Sequence, residues 1–363
     1  MTEKEVVYIP VSTLKNFMRD VFIGLGVPKE DAGICTDVLI KSDLSGIASH
    51  GVQRLKMYYD RIRGGIQHST TAFKIVKESP TTATIDAGHG MGHVAAYKAM
   101  KLAINKAKEY GLGAVAVGNS THYGIAGYYA LMAVKEGMIG LAVTNARPSI
   151  APTFGVEPML GTNPLTIGIP TDEEFPFLID CATSITQRGK IEVLARTAAS
   201  APEGWVTTEN GELATDSVAI LNDLKEGIAA LLPLGGFGEL LGGHKGYGYA
   251  TAVEILSAAL SGGPFMKDLT LDKGYKLGHF FLAINIENFI SLDIFKNIAG
   301  NICRGLRNSK KAPGQDRIYT AGEKEYEKEK EVRKTGVPLN KSLQRDLLIM
   351  KAELGLDQYD FPF

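Results

Sequence analysis

The sequence lacks the basic excess, the cysteine pairs and the long apolar runs that mark several large classes of protein. Lys and Arg together number 39 and Asp and Glu number 40, which gives a formal net charge of -1 over 363 residues. A nucleic-acid-binding protein usually carries a clear excess of basic residues. We therefore expect no nucleic acid among its partners.

Cysteine is scarce, and its few copies lie far apart. The three cysteines, Cys35, Cys181 and Cys303, form no CxxC pair and no cysteine-based zinc site. Their odd number is against a disulfide framework of the kind that stabilises small secreted domains. The expected location is accordingly a reducing compartment, the cytoplasm.

Neither a targeting segment nor a membrane span is expected. The first ten residues carry charges at Glu3, Lys4 and Glu5, and no apolar stretch typical of a signal peptide follows them. Residues 113–134 are free of charged side chains, but Asn119 and His122 interrupt them with polar groups that would be costly in lipid. We therefore expect no contact with a membrane.

The spacing of apolar residues predicts helices and short strands that share one core. The length leaves room for two domains. Apolar residues recur three and four positions apart between residues 12 and 63, which predicts a helical N-terminal segment. The same spacing predicts helices at 93–110, 127–136, 246–260 and 292–306, and short apolar or β-branched runs predict strands at 73–76, 82–85, 114–117, 139–143, 165–169 and 280–286. The fold class is therefore α/β.

Two glycine patterns imitate the fingerprint of a Rossmann dinucleotide site. The GxGxxA pattern at residues 111–116 follows a helix and enters a strand, the reverse of the Rossmann order, and is rejected. The glycines at 88, 90 and 92 do lead from strand to helix, but the third comes one residue early and no acidic residue follows at the usual distance. They predict a turn that enters a helix rather than a cofactor loop.

A third glycine-rich segment, residues 235–248, precedes an apolar helix. It places His244, Lys245 and Gly246 at the predicted helix N-terminus, where backbone amides and a lysine suit an anion such as a phosphate. The spacing is not that of a P-loop. A purely structural glycine turn is the alternative interpretation.

Histidines at two places suggest acid/base chemistry. If a helix resumes at Ser49, then His50 and Arg54 lie four apart on one face, where a guanidinium can bind a carboxylate and an imidazole with a pKa near 6.5 can exchange a proton beside it. His122 follows a predicted strand, at the position where ligands of α/β folds often bind. A capping serine with surface side chains, and a helix-capping turn, are the alternatives for these two places.

A metal site is not expected. His89 and His93 lie four residues apart, but no third ligand is nearby in the sequence.

Taken together, these segments resemble the malate/L-lactate dehydrogenase family of type 2. The matching stretches run in the family's order through most of the chain: SDLSGIASHGVQRL at 42–55, NSTHYGIAGYYA at 119–130, TNARPSIAPTFG and LGTNPLTIGIPT within 144–171, FLIDCATS at 177–184, GKIEVLARTAASAPEGW at 189–205 and LLPLGGFGELLGGHKGYGYA at 231–250. The resemblance implies a mostly antiparallel sheet with flanking helices and a cofactor domain that is not a Rossmann fold. It also implies a helical domain from both chain ends, with residues 1–78 and 305–363 in that domain and 79–304 in the cofactor domain.

The resemblance also implies site residues. His50 matches the family's proton donor or acceptor, with Ser49 as its relay and Arg54 as the ligand of the substrate carboxylate, while His122 matches a second active-site histidine that some members use instead. Cofactor contacts are implied at Asp180, Cys181, Ala182, Thr183, Ser184, His122, His244, Lys245, Gly246, Gly322 and Glu323. The segment of the last two departs from the family pattern, since Ala321 stands where the usual PGE has its proline.

The expected activity is hydride transfer between malate and oxaloacetate with NAD or NADP, without a metal, in a homodimer. The resemblance leaves open a reductase of another 2-oxo acid or of a cyclic imino acid, of the lactate, sulfolactate or piperideine-carboxylate type. A non-catalytic protein that binds a carboxylate or a nucleotide is the alternative from another class. The sequence does not distinguish NAD from NADP.

Overall fold

A computed structural model describes residues 6–270 and 274–363. The helices are α1 (Val11–Gly24), α2 (Lys29–Leu44), α3 (Leu55–Arg63), α4 (Gly92–Tyr110), α5 (Gly127–Lys135), α6 (Arg188–Arg196), α7 (Ser217–Glu226), α8 (Gly243–Glu254), α9 (Leu292–Arg307), α10 (Glu323–Thr335) and α11 (Lys341–Leu354). The strands are β1 (Val7–Ile9), β2 (Lys74–Glu78), β3 (Thr82–Asp86), β4 (Leu112–Ser120), β5 (Met138–Thr144), β6 (Leu165–Ile169), β7 (Phe177–Cys181), β8 (Val206–Thr208), β9 (Ala229–Leu231), β10 (Leu277–Asn285) and β11 (Val337–Leu339).

A seven-stranded sheet forms the centre of the molecule, in the order β2-β3-β4-β10-β5-β6-β7. Only β3 and β4 run parallel among these neighbours; the other pairs are antiparallel. The expectation of a mostly antiparallel sheet with flanking helices is confirmed. Helix α4 joins the parallel pair and packs closely on β4, because a Cβ atom on Gly113 would lie 2.0 Å from the carbonyl oxygen of Ala103.

The predicted elements all form, with small shifts at their ends. The turn at residues 88–92 leads from β3 into α4, with Gly88 and His89 at positive φ, and α4 ends at Gly111 in the left-handed conformation. Helix α8 begins at Gly243, three residues earlier than predicted, and continues as one π-helical turn at Ile255–Ala259. The fold class predicted from the sequence is thus correct.

The two ends of the chain pack into one hydrophobic core. Strand β1 pairs with β11, and apolar side chains of α1, α2, α3 and α11 fill the space beneath them. A separate hydrophobic core, which the sequence did not predict, lies between α6, α7 and the β8–β9 pair. Of the described helices, none has the length and apolar character that a membrane span requires.

His279 holds together the ends of β4 and β5, the strands that precede two segments of the candidate site. Strand β10 lies between β4 and β5 and runs antiparallel to both, so β4 and β5 end at the same edge of the sheet. The buried imidazole of His279 bonds to the hydroxyl of Thr144 through Nδ1, at 2.7 Å, and to that of Ser120 through Nε2, at 2.9 Å. The segments that follow these two strands therefore emerge side by side.

Candidate active site

A compact turn between α2 and α3 presents the first predicted site residues. Two short 3-10 turns, Ala48–His50 and Val52–Arg54, replace the single helix expected there. The Ser49 hydroxyl lies 2.8 Å from Nδ1 of His50, and Nε of Arg54 donates to the Ser49 carbonyl oxygen at 2.7 Å. Ser49, His50 and Arg54 are thus locked together, although not on one face of a regular helix.

Asp43 holds this turn from below. Its buried carboxylate accepts a hydrogen bond of 2.8 Å from the backbone amide of Val52. A Cβ atom on Gly51 would lie only 1.9 Å from Oδ1 of Asp43, so only glycine allows this close approach. Burial raises the pKa of Asp43 to about 7.

The two candidate histidines come together. The rings of His50 and His122 stack with centroids 5.5 Å apart and planes inclined by 25°. His122 follows β4, as expected, and its Nδ1 contacts the Tyr58 hydroxyl at 2.5 Å and the backbone amide of Gly124 at 3.3 Å. Because an amide can only donate, Nδ1 of His122 is an acceptor. A neutral His122 therefore carries its proton on Nε2.

Electrostatics keep both rings neutral in the free protein. Burial, followed by the charge of Arg54, lowers the pKa of His50 to about 4, below the value near 6.5 expected from the sequence. Burial also lowers the pKa of His122 well below its usual value, and His50, Arg54, His93 and Arg61 lower it further. Both rings are half-buried, which leaves them reachable by a small ligand.

Neither His89 nor His93 has the surroundings of a metal ligand. Nε2 of His89 bonds to the carbonyl oxygen of Ile66 at 2.7 Å, while the buried ring of His93 packs edge-on against Tyr58. Burial lowers the pKa of His93 to about 3. Within residues 6–270 and 274–363, no cluster of three or more His, Cys, Asp or Glu side chains could hold a metal ion.

The predicted cofactor segments 180–184 and 244–246 lie next to each other. The carbonyl oxygen of Thr183 accepts from the amide of Leu234 at 2.8 Å, and a Cβ atom on Gly246 would lie 2.1 Å from the Leu234 carbonyl oxygen. A cavity of about 440 Å³ opens at this point, lined by Leu234, Gly235, Glu239, Leu240, Leu241, Gly242, Lys245, Gly246 and Tyr249. Of the three predicted residues at the start of α8, Lys245 and Gly246 line it.

The glycines of this segment serve its shape. Gly235, Gly236, Gly238 and Gly242 all have positive φ, which side chains rarely adopt. Lys245 is exposed, and its side-chain ammonium has neither an ion pair nor a hydrogen bond among the residues that the structure describes. An unpaired lysine at a helix N-terminus suits an anion such as a cofactor phosphate.

Several of the other predicted cofactor residues are engaged within the protein. The carboxylate of Asp180 accepts from the amide of Gly127 at 2.7 Å, at the start of α5, and from the Thr166 hydroxyl at 2.8 Å. Cys181 and Ser184 direct their side chains to the backbone carbonyls of Leu165 and Thr186. These side chains position the segment, whose exposed face remains the candidate cofactor surface together with Ala182.

Gly322 and Glu323 lie beside β7, near the segment 180–184. Gly322 has a φ of +93°, and a Cβ atom there would lie 2.9 Å from the Pro176 carbonyl oxygen. The buried carboxylate of Glu323 accepts from the amide of Thr320 at 3.0 Å and bonds to Arg317. These contacts show Glu323 fixing the start of α10.

Sequence analysis missed several residues that shape the site. Tyr58, the partner of His122, lies four residues after Arg54, and that spacing on α3 was a usable signal. Asn145 and Asn163 bind the buried carboxylate of Glu254 at 3.4 and 2.7 Å, which ties the segment after β5 to α8. No pattern in the sequence signals that network, because its members are far apart along the chain.

Comparisons with known proteins place this geometry in a family. A family model for malate/L-lactate dehydrogenase matches residues 9–348. The malate dehydrogenase of Pyrococcus abyssi is 47% identical over 98% of this chain and 97% of that protein, and the L-sulfolactate dehydrogenase of Methanocaldococcus jannaschii is 39% identical over 96% and 97%. The crystal structure of malate dehydrogenase from Entamoeba histolytica superposes with a TM-score of 0.94 at 44% identity, covering 99% of this chain and 100% of that one.

Proposed function

The chain belongs to the malate/L-lactate dehydrogenase family, and on that basis we propose that it is a malate dehydrogenase that uses NAD or NADP. The observation that carries this proposal is the stacked pair His50 and His122 beside Arg54, at the edge of the sheet. A carboxylate-binding guanidinium next to two neutral imidazoles matches a 2-hydroxy acid, whose carboxylate and reacting hydroxyl sit on adjacent carbons.

The tautomers assign separate roles to the two histidines. His50 can donate from Nδ1 to the Ser49 hydroxyl, which leaves the lone pair of its Nε2 free to accept the hydroxyl proton of malate. His122, with its proton on Nε2, can donate a hydrogen bond to the same oxygen but cannot take a proton there. We therefore propose His50 as the acid/base, with Ser49 as its relay, and His122 as a donor to substrate or cofactor.

Arg54 positions the substrate. Its Nε is held by the Ser49 carbonyl oxygen, so its terminal nitrogens have a fixed direction from which to bind the carboxylate on C1. That orientation holds C2 near His50 and reduces the freedom of the reacting groups.

The glycine-rich cavity at the start of α8 fits a dinucleotide phosphate. Positive φ angles bring backbone close to the cavity without side chains, and Lys245 supplies an unpaired positive charge. We propose that Lys245, His244, Gly246 and the segment 180–184 hold the cofactor, with Gly322 and Glu323 supporting that segment. When bound, the nicotinamide supplies the hydride acceptor for C2 of malate.

An absorbance assay at the nicotinamide band tests the proposal. We expect malate oxidation and oxaloacetate reduction with one or both cofactors. A panel containing pyruvate, sulfopyruvate and a cyclic imino acid distinguishes malate from the other substrates of related enzymes. No turnover of any substrate at high enzyme concentration would leave a non-catalytic binding protein as the better explanation.

We also propose that the protein is a homodimer. Helix α9 exposes a row of four aliphatic side chains that are 50–60% accessible: Ile294, Ile298, Ile302 and Leu306. The exposed positions between them, Asn297, Asn301 and Gly305, carry no charge, as is usual at the centre of an interface between identical chains. Light scattering of wild type and Ile298→Glu tests this, since the variant should be monomeric.

We further propose a cytoplasmic location and the two domains predicted from the sequence. Cys35, Cys181 and Cys303 are all free thiols, which supports a reducing compartment. The joint core of the two chain ends supports a domain of residues 1–78 with 305–363, beside a cofactor domain of residues 79–304. Limited proteolysis tests the division, because cleavage should fall first near the two boundaries.

A further inference from the structure

Besides Arg54, two more arginines lie at the edge of the sheet where the histidines meet. Arg54 precedes α3 and Arg61 lies in its last turns, seven residues further on. Seven residues are close to two helical turns, so the backbone positions of Arg54 and Arg61 lie on the same side of the helix axis, about 10 Å apart along it. Tyr58, which contacts His122, lies between them on the same helix.

Arg147 reaches this edge from the sheet. It follows β5, as His122 follows β4, and His279 holds the ends of these two strands on either side of β10. The ends of β4 and β5 are therefore two strand spacings apart, about 10 Å. The guanidinium of Arg61 lies 5.7 Å from the ring centroid of Tyr275, just before β10, so it reaches the same place.

These arginines are not neutralised within the described part of the chain. The guanidinium groups of Arg61 and Arg147 form no salt bridge and no hydrogen bond with another described residue. Arg63, on the same helix, is instead paired with Glu353. Burial, together with the charges of Arg54 and Arg147, lowers the pKa of Arg61. Like charges gathered without a counter-ion are costly, which indicates that an anionic ligand completes the site.

We infer that Arg61 and Arg147 bind the second acidic group of the substrate, while Arg54 binds the carboxylate beside the reacting carbon. This inference rests on the proposed function and deepens it, because it names what distinguishes a diacid from a monoacid. In malate the second group is the C4 carboxylate, and in sulfolactate a sulfonate occupies the equivalent place. Lactate and pyruvate have only a methyl group there.

The test compares oxaloacetate, sulfopyruvate and pyruvate as substrates of wild type, Arg61→Gln and Arg147→Gln. Each replacement removes a charge-assisted hydrogen bond, so kcat/KM for oxaloacetate and sulfopyruvate should fall about 10- to 100-fold. The fall for pyruvate should be much smaller, so the ratio of kcat/KM for either diacid to kcat/KM for pyruvate should drop. Most of the change should appear in KM, and Arg147→Lys should restore part of it.

Arg63→Gln is the matched control, since it removes the same charge from the same helix outside the site. Arg147 is exposed, so its replacement disturbs no packing and decides the question even if Arg61→Gln does not fold. The inference is overturned if the kcat/KM ratio of diacid to pyruvate is unchanged in Arg147→Gln, or if it drops equally in Arg63→Gln. In either case, malate turnover by the wild type still supports the proposed function. If the wild type prefers sulfopyruvate and the ratio drops, the malate assignment fails and the inference stands. A wild type that prefers pyruvate overturns both.

Discussion

The ring of His122 stacks on that of His50, and hydrogen bonds to Nδ1 of His122 from the Gly124 amide and the Tyr58 hydroxyl leave its proton on Nε2. Two histidines within reach of one oxygen can therefore act differently, one as an acceptor of a proton and the other as a donor of a hydrogen bond. On the proposed mechanism, the hydrogen-bond partners of the two rings, more than their shared residue type, separate the roles.

Replacing each histidine should reveal that separation. We expect His50→Ala to lose most of kcat, by the 10²- to 10⁴-fold that general acid/base catalysis typically contributes, together with the acid limb of the pH profile. His122→Ala should be slower but keep the limb. Steady-state kinetics across pH measure both, and a limb that survives in His50→Ala but vanishes in His122→Ala would exchange the assignments.

The pH profile of malate oxidation should differ between kcat/KM and kcat. Malate oxidation needs a neutral base, and kcat/KM reports the free enzyme and free substrate, so the acid limb that comes from His50 should lie near its pKa of about 4. A bound carboxylate offsets the charge of Arg54, which raises the pKa of His50, so the limb of kcat should lie at higher pH. Coincident limbs in the two profiles would contradict this electrostatic coupling.

Replacing Arg54 should separate substrate binding from cofactor binding. Arg54→Ala should raise KM for malate strongly, because it removes the carboxylate ligand, while the cofactor Kd stays near the wild-type value. Arg54→Lys should recover only part of the lost affinity for malate, since an ammonium cannot reproduce the guanidinium's fork geometry. The cofactor Kd is measured by fluorescence titration, and equal weakening of malate and cofactor would contradict the assignment.

The opposite pattern is expected at the glycine-rich cavity. Lys245→Ala should weaken cofactor binding about 10-fold or more, the loss expected for one charge-assisted contact, with less effect on KM for malate. Lys225→Ala, which removes an exposed lysine of α7, serves as the control. A cofactor Kd that is unchanged in Lys245→Ala would remove the cavity from the cofactor site.

Asp43 should affect stability as well as activity. Its folded-state pKa of about 7 lies above its unfolded value near 3.9, so the folded chain holds the proton more tightly and loses stability as the pH rises from about 4 to 7. Asp43→Asn cannot ionise, and its stability relative to wild type should increase over the same range. Urea unfolding at pH 5 and pH 8 measures the difference, and a constant difference would contradict the raised pKa.

Gly51→Ala tests the same contact from the other side. The added methyl group collides with the Asp43 carboxylate, so the turn that carries Ser49 and His50 must shift. We expect a loss of kcat with a smaller loss of stability, because a loop can move more easily than a core. Retention of full activity would mean that this close approach does not position His50.

The sequence predicted the local structure well because local signals determine it. Apolar spacing identified the helical N-terminal segment, α4, α5, α8, α9 and six of the seven strands of the central sheet, all but β7. Glycine at positive φ marked the end of α4 at Gly111. Spacing also led to the pairing of His50 with Arg54, but the single helix face predicted for them was wrong, since two 3-10 turns form there. By contrast, the contact between His50 and His122 depends on where the turn between α2 and α3 lies against the segment after β4, which no short stretch of sequence encodes.

Electrostatic detail was the least predictable part. A pKa near 6.5 for His50 follows from residue type, but burial and Arg54 lower it to about 4, and burial is a property of the folded chain. The separate hydrophobic core around β8 and β9 was also missed, since short strands such as Val206–Thr208 have too few residues to show alternation. Network members such as Asn163 and Glu254 meet only after folding.

The pairing of β1 with β11 has a consequence for biosynthesis. Val7 lies opposite Leu339 in that pair, so the core that supports the turn of His50 needs residues that are far apart along the chain and are therefore made at different times. During synthesis on the ribosome, the first helices cannot complete this core until residue 339 has left the exit tunnel. Catalytic competence should then arise only once β11 has emerged rather than gradually during synthesis, and until then a chaperone could bind the exposed helices.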